Sequence, residues 1–224
     1  MDDPNLDETA HLQALRGLRR INAVSLTALQ FRAAIENLLN NSDLHRARIL
    51  ELACGGGDVL LDLEAQLKKN ELWDITLEGC DLSPRSVRFA EESANLRRSR
   101  SRFFSMNVSD DPLPEGYDVF ISSLFLHHLT DEAIIELFSK MSKVVNIGFV
   151  VSDLERSRLG LAVTSAAVRI LSRSPVVHSD GVQSLRASFT PQELADLANQ
   201  AGLKDFTLKR CWPCRLLLVW RKVQ

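Results

Sequence analysis

Three successive glycines mark the part of this sequence best suited to holding a nucleotide-like ligand. Gly55, Gly56 and Gly57 follow an apolar run that carries one acid, Glu51, and a segment with helical character begins directly after them. Glycines let the backbone approach a ligand closely, and the free N–H groups at the start of a helix face it. A glycine turn that joins a strand to a helix without any ligand is the alternative.

A carboxylate follows at the end of the next apolar run. Asp81 lies 24 residues after Gly57, near the spacing expected for an acid that accepts hydrogen bonds from both hydroxyls of a ribose. The dinucleotide fingerprint would need a glycine where Leu60 stands, which weakens a nicotinamide or flavin interpretation. The sequence also has no Tyr-x-x-x-Lys pair and no Gly-x-x-x-x-Gly-Lys phosphate loop. These patterns argue against a short-chain dehydrogenase and a phosphate-loop enzyme.

His127 and His128 are the candidate general bases. They follow a third apolar run, which ends near Leu124. Histidine titrates near neutral pH and is the usual general base in enzymes. The alternative is that one of them is a capping or core histidine and the other is exposed.

The chain between these residues alternates between strand-like and helix-like segments. Strands are predicted at 48–54, 75–81, 102–107, 117–123 and 146–152, and helices at 57–69, 84–98, 131–143 and 191–201. Such alternation predicts a parallel sheet with right-handed crossovers and helices on both faces. The runs 206–211 and 215–220 are joined by the short turn Trp212-Pro213, which predicts an antiparallel pair at the end of the chain.

These motifs resemble those of the class I S-adenosylmethionine-dependent methyltransferases. The run from Glu51 to Gly57 resembles their motif I, acid-x-Gly-x-Gly-x-Gly, with Ala53 where the family usually has its first glycine. The run 118–129 resembles their motif IV followed by Leu-His-His-Leu. Within that superfamily the chain looks most like bacterial small-molecule enzymes of the ubiquinone and menaquinone type. Residues 172–181 and 212–220 resemble a bacterial group whose genes often accompany type III polyketide synthases.

The resemblance implies a Rossmann-like α/β fold with a seven-stranded, mostly parallel sheet, an antiparallel last strand and helices on both faces. It implies S-adenosylmethionine as the cofactor and S-adenosylhomocysteine as its product. The residues it places against the cofactor are Glu51, Ala53, Cys54, Gly55, Gly57, Asp81, Leu82, Ser83, Asn107, Val108, Ser122, Ser123 and Leu124. Leu82 is expected to pack on the adenine, and the amide oxygen of Asn107 to accept a hydrogen bond from the adenine amine.

The resemblance also adds Asp153, at a common active-site position of the fold, to His127 and His128 as a candidate catalytic residue. Further candidates for the acceptor pocket are Arg156, Arg173, His178, Asp180 and Arg186. We interpret residues 1–224 as one methyltransferase domain. It comprises an N-terminal helical cap (1–44, with helices at 7–20 and 25–40), a cofactor-binding core (45–152), an acceptor-side insertion or lid (153–189) and a C-terminal helix and hairpin (190–224).

The sequence therefore predicts methyl transfer to an oxygen or carbon of a small phenolic, polyketide or quinone-like acceptor. A methyltransferase acting on protein or nucleic acid and a non-catalytic, cofactor-binding partner subunit are the alternatives. With 27 basic and 29 acidic residues, the chain has no electrostatic footprint for nucleic acid. No apolar run is long enough to span a membrane, and the acidic start does not resemble a secretory signal. We therefore expect a cytoplasmic monomer or homodimer.

The four cysteines are interpreted as structural. Cys54 and Cys80 stand at predicted strand ends and are expected to be buried thiols. Cys211 and Cys214 have redox-like spacing, but they lie between two strand-like runs and not ahead of a helix, which favours a tight turn. No nearby ligands complete a zinc site, and no metal is predicted.

Overall fold

The computed structural model of the protein describes residues 13, 15, 17, 19–20, 22–40, 45–68, 73–157, 160 and 183–223. Its helices are α1 (Thr27–Asn40), α2 (Asp58–Leu67), α3 (Pro84–Leu96), α4 (Asp131–Val144) and α5 (Pro191–Gln200), with a single 3-10 turn at Leu126–His128. Its strands are β1 (Arg46–Leu52), β2 (Asp74–Asp81), β3 (Arg102–Ser105), β4 (Val119–Ser123), β5 (Gly148–Leu154), β6 (Thr207–Cys211) and β7 (Arg215–Arg221). Residues 22–24 and 183–187 are also helical.

The described strands form one seven-stranded sheet in the order β3-β2-β1-β4-β5-β7-β6. Strands β1 to β5 pair in parallel, whereas β7 is antiparallel to both of its neighbours, β5 and β6. The predicted mostly parallel sheet with an antiparallel last strand is confirmed. The strand order reverses between β1 and β4, so the carboxyl ends of these two strands flank the topological switch point where ligands bind in such sheets.

Capping residues fix where three of the helices begin. The hydroxyl of Ser83 accepts a hydrogen bond from the N–H of Ser86, and that of Thr130 accepts one from the N–H of Ala133. At α5, Thr190 and Glu193 form a reciprocal capping box. Each pair satisfies backbone N–H groups that the helix itself leaves unpaired. The helices therefore start at, or within one residue of, the predicted positions.

Two apolar layers cover the two faces of the sheet. The α1 face is covered by α1, α2 and α3 and includes Ile49, Ile121, Val150 and Leu217. The α4 face is covered by α4 and α5 and includes Leu50, Phe120, Phe149 and Leu218. Because side chains alternate along a strand, the face of any strand residue can be read from these members.

Part of the predicted organisation lies outside the described residues. Most of the insertion (158–159 and 161–182) belongs to this part, and with it Arg173, His178 and Asp180. Residues 1–12 of the predicted helical cap belong to it as well. Within the described part, none of the helices has the length and apolar character needed to cross a membrane.

Candidate functional site

The glycine turn, residues 53–57, carries the chain from β1 to α2 through three left-handed residues. The φ angle is 55° at Ala53, 54° at Gly55 and 70° at Gly57. A Cβ atom on Gly57 would lie 2.7 Å from the ring of Phe103, whereas one on Gly55 would meet no protein atom within 4 Å. Gly57 is therefore required for close packing of the turn against β3. Gly55 instead borders open space at the carboxyl edge of the sheet.

Asp81 connects the glycine turn to the end of β2. Its Oδ2 accepts a hydrogen bond from the N–H of Gly55 at 2.8 Å, and its Oδ1 accepts one from the N–H of Ser83 at 2.9 Å. A carboxylate accepts hydrogen bonds through both of its oxygens, so ribose hydroxyls are suitable ligand groups for Asp81. Leu82, the next residue, is 66% exposed and offers an apolar surface beside this carboxylate. The structure thus brings these predicted residues together.

Glu51 lies beneath the glycine turn with one oxygen unpaired. It is 1% exposed, and its Oε2 has no hydrogen-bond partner among the described residues. Burial raises the pKa of Glu51 well above its usual value, and the carboxylates of Asp58 and Asp81 raise it further. A cationic group placed beside this oxygen would offset the cost of burying it.

Two other predicted cofactor residues use their side chains inside the protein. The amide oxygen of Asn107 accepts a hydrogen bond from the N–H of Ser109 at 3.1 Å, and its Nδ2 donates to Asp110 at 2.8 Å. The hydroxyl of Ser122 donates to the carbonyl of Leu52 at 3.1 Å and is buried. Ser122 therefore links β4 to β1, and Asn107 has one lone pair of its oxygen left for a ligand.

The remaining predicted cofactor residues lie at or just after the ends of β1, β3 and β4. The N–H of Cys54 donates to the carbonyl of Cys80 at 2.9 Å. Both cysteines are buried, as predicted, and burial raises the pKa of Cys54 well above its usual value and that of Cys80 to about 12, so neither is a nucleophile. Val108 is buried on the α4 face. Ser123 and Leu124 are half-buried, and Leu124 has a left-handed φ of 54° at the end of β4.

His127 and Asp153 form a buried pair at the ends of β4 and β5. Nδ1 of His127 lies 2.7 Å from Oδ1 of Asp153, and the two side chains are 4% and 0% exposed. Asp153 also accepts hydrogen bonds from the N–H groups of Leu126 at 2.8 Å and Leu154 at 2.7 Å. Burial alone would raise the pKa of Asp153, but the charge of His127 and these hydrogen bonds outweigh it and hold the pKa below its usual value.

This geometry fixes the imidazole of His127 through Nδ1, so that Nε2 would exchange a proton with an acceptor. His127 and Asp153 were both candidate catalytic residues from the sequence, but their contact was not predicted. His128 is exposed, and its ring centroid lies 4.2 Å from that of His127. The structure thus distinguishes one held histidine from one surface histidine.

A buried cation that the sequence analysis did not select lies at the start of β7. Arg215 is 1% exposed, and its Nη2 donates to Asn22 Oδ1 at 2.9 Å and to Ser25 Oγ at 3.3 Å. Asn22 in turn donates to Oδ2 of Asp58, the first residue of α2, at 2.9 Å. Burial lowers the pKa of Arg215 to about 10, against the opposing effect of Asp153 and Asp58. In the sequence, Arg215 is recognisable only as an arginine that directly precedes the apolar run 216–219.

The structure describes two of the further candidates for the acceptor pocket, Arg156 and Arg186. Arg156 donates to the carbonyl of Ser188 at 3.0 Å and forms an ion pair with Glu193, so it connects the end of β5 to α5. Arg186 is exposed.

The structure also locates the second pair of cysteines. Cys211 and Cys214 are free thiols on either side of the tight turn between β6 and β7, as the sequence predicts. Within the described ranges, no cluster of three or more His, Cys, Asp or Glu side chains could hold a metal ion.

Comparison with known protein families identifies one domain. Residues 49–148 match a family model described as a methyltransferase domain, which is just under half of the chain. This match includes the glycine turn, Asp81 and the two histidines. No curated protein sequence matches the chain.

Several solved structures share the fold at low sequence identity. Human N-acetylserotonin methyltransferase in complex with S-adenosylmethionine has a TM-score of 0.68 at 18% identity, covering 97% of this chain and 57% of that chain. Magnesium protoporphyrin IX methyltransferase from Synechocystis with bound S-adenosylhomocysteine has a TM-score of 0.59 at 14% identity, covering 88% and 84%. An O-methyltransferase family 2 protein from Planctomyces limnophilus in complex with apigenin has a TM-score of 0.58 at 17% identity, covering 79% and 51%.

The chain thus spans little more than half the length of the human and Planctomyces proteins. The fold comparison confirms the predicted architecture, and the family match places a methyltransferase-like sequence at residues 49–148. The chain therefore has the Rossmann-like fold of the class I S-adenosylmethionine-dependent methyltransferases, and its residues 49–148 match a methyltransferase domain.

Proposed function

We propose that this protein transfers the methyl group of S-adenosylmethionine to a small-molecule acceptor. The observation that carries the proposal is the hydrogen bond from the N–H of Gly55 to Asp81, which joins the glycine turn and the ribose-type acid into one site. This site lies beside the topological switch point of the sheet. Both residues belong to the segment that matches a methyltransferase domain.

The described residues offer a partner for each part of this cofactor. Asp81 suits the ribose hydroxyls, exposed Leu82 suits the adenine, and the unpaired oxygen of Glu51 suits an ammonium group. The open space beside Gly55 leaves room for the ligand. When bound, S-adenosylmethionine supplies an electrophilic methyl group on a positively charged sulfur. The protein then has to hold an acceptor atom in line with that methyl group and keep water away.

The pair of His127 and Asp153 supports an acceptor that loses a proton. Asp153 holds the imidazole through Nδ1, so Nε2 of His127 can take the proton of a hydroxyl or of an acidic carbon. Orientation can lower a barrier by about 7–11 kcal/mol, whereas a general base contributes about 10²- to 10⁴-fold in rate. Alignment is therefore the larger effect, and the proposed activity does not depend on the histidine alone.

The acceptor is proposed to be phenolic, polyketide or quinone-like, from the sequence resemblance. The fold neighbour in complex with apigenin supports a small organic molecule in general. The net charge of −2 supports such an acceptor over nucleic acid. We further propose a cytoplasmic monomer or homodimer.

Calorimetry with S-adenosylhomocysteine, S-adenosylmethionine and NAD tests the cofactor assignment. We expect both adenosyl compounds to bind and NAD not to bind. Asp81→Asn should weaken S-adenosylhomocysteine about 10- to 150-fold, because a charged hydrogen bond contributes roughly 1.5–3 kcal/mol. Asp62→Asn is the matched control, since Asp62 pairs with Arg97 away from the turn. Tight NAD binding without adenosylhomocysteine binding would overturn the proposal.

Transfer of a labelled methyl group to a panel of phenols and polyketides then separates an enzyme from a cofactor-binding subunit. Incorporation into at least one small acceptor is the expected result. Binding of the cofactor with incorporation only into protein or nucleic acid would move the assignment to a macromolecular methyltransferase.

A further inference from the structure

Several buried polar atoms near the carboxyl edge of the sheet have no hydrogen-bond partner among the residues that the structure describes. They include Glu51 Oε2, Ser152 Oγ, Arg215 Nη1 and Thr27 Oγ1. None of these four residues is more than 1% exposed. Because an unpaired buried polar group costs roughly 1–3 kcal/mol, and a charged one more, native proteins rarely keep several of them together without a ligand or ordered water.

The strand register places three of these residues on the same face of the sheet. Glu51, Ser152 and Arg215 each lie two residues along their strand from a member of the α1 face, namely Ile49, Val150 and Leu217. Thr27 is the first residue of α1, the helix that covers this face. The unpaired atoms therefore share one face and one edge of the sheet.

Arg215 is connected to the glycine turn through a single side chain. Asn22 accepts from Arg215 Nη2 and donates to Asp58, which directly follows Gly57. This contact uses Nη2 and leaves Nη1 as the unpaired nitrogen of the guanidinium. The cation is thus held in place by the protein through Nη2, while the N–H groups of Nη1 remain for a ligand.

We propose that Arg215 binds a carboxylate of a small molecule held at this edge, with the hydroxyl of Ser152 as a second donor. A guanidinium N–H and a hydroxyl are suitable donors to a carboxylate oxygen, and a charge-assisted hydrogen bond is strongest where water is excluded. The proposal rests on the function proposed above. The carboxylate has two sources in that function: the amino-acid end of the cofactor, or a carboxylate on the acceptor.

The two sources predict different contacts. An α-amino acid group would bring an ammonium as well as a carboxylate, and the unpaired oxygen of Glu51 on the same face suits that ammonium. A carboxylate on the acceptor would need only Arg215.

Calorimetry with matched ligands distinguishes the two sources. S-adenosylhomocysteine carries the amino-acid group and 5′-methylthioadenosine lacks it, while 4-hydroxybenzoate and 4-hydroxybenzamide form the same comparison for an acceptor on adenosylhomocysteine-saturated protein. For a cofactor carboxylate, Arg215→Met should weaken S-adenosylhomocysteine about 10- to 150-fold and leave methylthioadenosine unchanged. For an acceptor carboxylate, Arg215→Met should weaken the binding of 4-hydroxybenzoate and leave that of 4-hydroxybenzamide unchanged.

Two further variants keep the test decisive. Arg221→Met is the matched control, since Arg221 lies at the other end of β7 and donates to the carbonyl of Leu38 at 2.6 Å. Ser152→Ala removes an unpaired hydroxyl and should preserve folding. It should weaken the same carboxylate ligand about 2- to 10-fold, which supplies a result even where Arg215→Met unfolds.

The proposal is wrong if neither Arg215→Met nor Ser152→Ala changes the ratio of affinities within either ligand pair. Wild-type protein that binds neither S-adenosylhomocysteine nor methylthioadenosine would instead contradict the proposed function. The two failures are therefore distinguishable.

Discussion

Substitution of the two left-handed glycines by alanine should separate the packing of the glycine turn from its ligand binding. Gly55 and Gly57 have similar φ angles of 54° and 70°. Their surroundings differ, because a Cβ on Gly57 would lie 2.7 Å from Phe103 and 2.9 Å from Ala90, whereas one on Gly55 has no protein atom within 4 Å. Alanine at either position therefore costs a similar backbone strain energy, but only alanine at Gly57 also overlaps with packed side chains.

The expected changes in the free energy of unfolding follow from these contacts. A left-handed alanine costs roughly 1–2 kcal/mol, and the stiffer unfolded chain returns about 0.4–1 kcal/mol. Gly55→Ala should therefore destabilise by about 1 kcal/mol. Overlap with a packed core adds roughly 1–3 kcal/mol, so Gly57→Ala should destabilise by about 2–4 kcal/mol.

Urea unfolding and calorimetry with S-adenosylhomocysteine measure the two effects independently. We expect Gly57→Ala to lose most stability, and Gly55→Ala to lose at least tenfold in affinity with little loss of stability, since its Cβ enters the space assigned to the ligand. Equal stability of the two variants would refute the packing argument. Wild-type affinity in Gly55→Ala would show that the open space beside the turn is not the ligand site.

The other predictions concern the strand ends. Folding lowers the pKa of Asp153, so its carboxylate stabilises the protein above the usual pKa of about 4, and this stabilisation is lost as the pH falls through the pKa of the folded state. Asp153→Asn should therefore remove this loss from the free energy of unfolding, measured with urea from pH 7 to pH 2. His127→Gln should slow methyl transfer about 10²- to 10⁴-fold without weakening S-adenosylhomocysteine, and exposed His128→Ala should have a smaller effect; equal loss of binding and turnover in both would contradict a general base. Ser122→Ala should cost about 1 kcal/mol in urea unfolding, because it removes the hydrogen bond to Leu52, and should leave cofactor affinity unchanged.

The fold could be predicted because local patterns and topology agree. Apolar runs of strand length alternate with capped helices, and the turn at Trp212-Pro213 is too short for anything except an antiparallel connection. The order of the strands follows less directly from such patterns. The resemblance to a known family implies the seven strands and the antiparallel last strand, and the structure adds their order.

The candidate site could be predicted where a residue type is tied to a backbone position. Gly55, Gly57 and Asp81 stand at strand ends, and the structure brings them into contact. Ala53 has a left-handed φ of 55°, which gives a physical reason for the glycine usual at its position in the resembling family.

Contacts across strands distant in sequence could not be predicted in the same way. The pairing of His127 with Asp153 joins two strand ends 26 residues apart, and Arg215 meets Asn22 across 193 residues. Nothing in the local pattern around Arg215 distinguishes it from a surface arginine ahead of an apolar strand. Its burial follows from the position of β7 between two strands and from the N-terminal helical residues that pack over it.

The charged side chains at the carboxyl edge of the sheet explain how this edge could serve both ligand binding and proton transfer. Burial raises the pKa of Glu51 and lowers that of Arg215, so ionising either group costs more than it does in water. A ligand that places a cation beside Glu51 and an anion beside Arg215 supplies the partner that each lacks, and in a low-dielectric interior these contacts are stronger than in water. The side chains of Asp153 and His127 are already paired with each other within the protein, on the α4 face. In the proposed function, ligand recognition therefore belongs to the α1 face and proton transfer to the α4 face. The two meet on β5, where Ser152 and Asp153 are adjacent residues pointing to opposite faces.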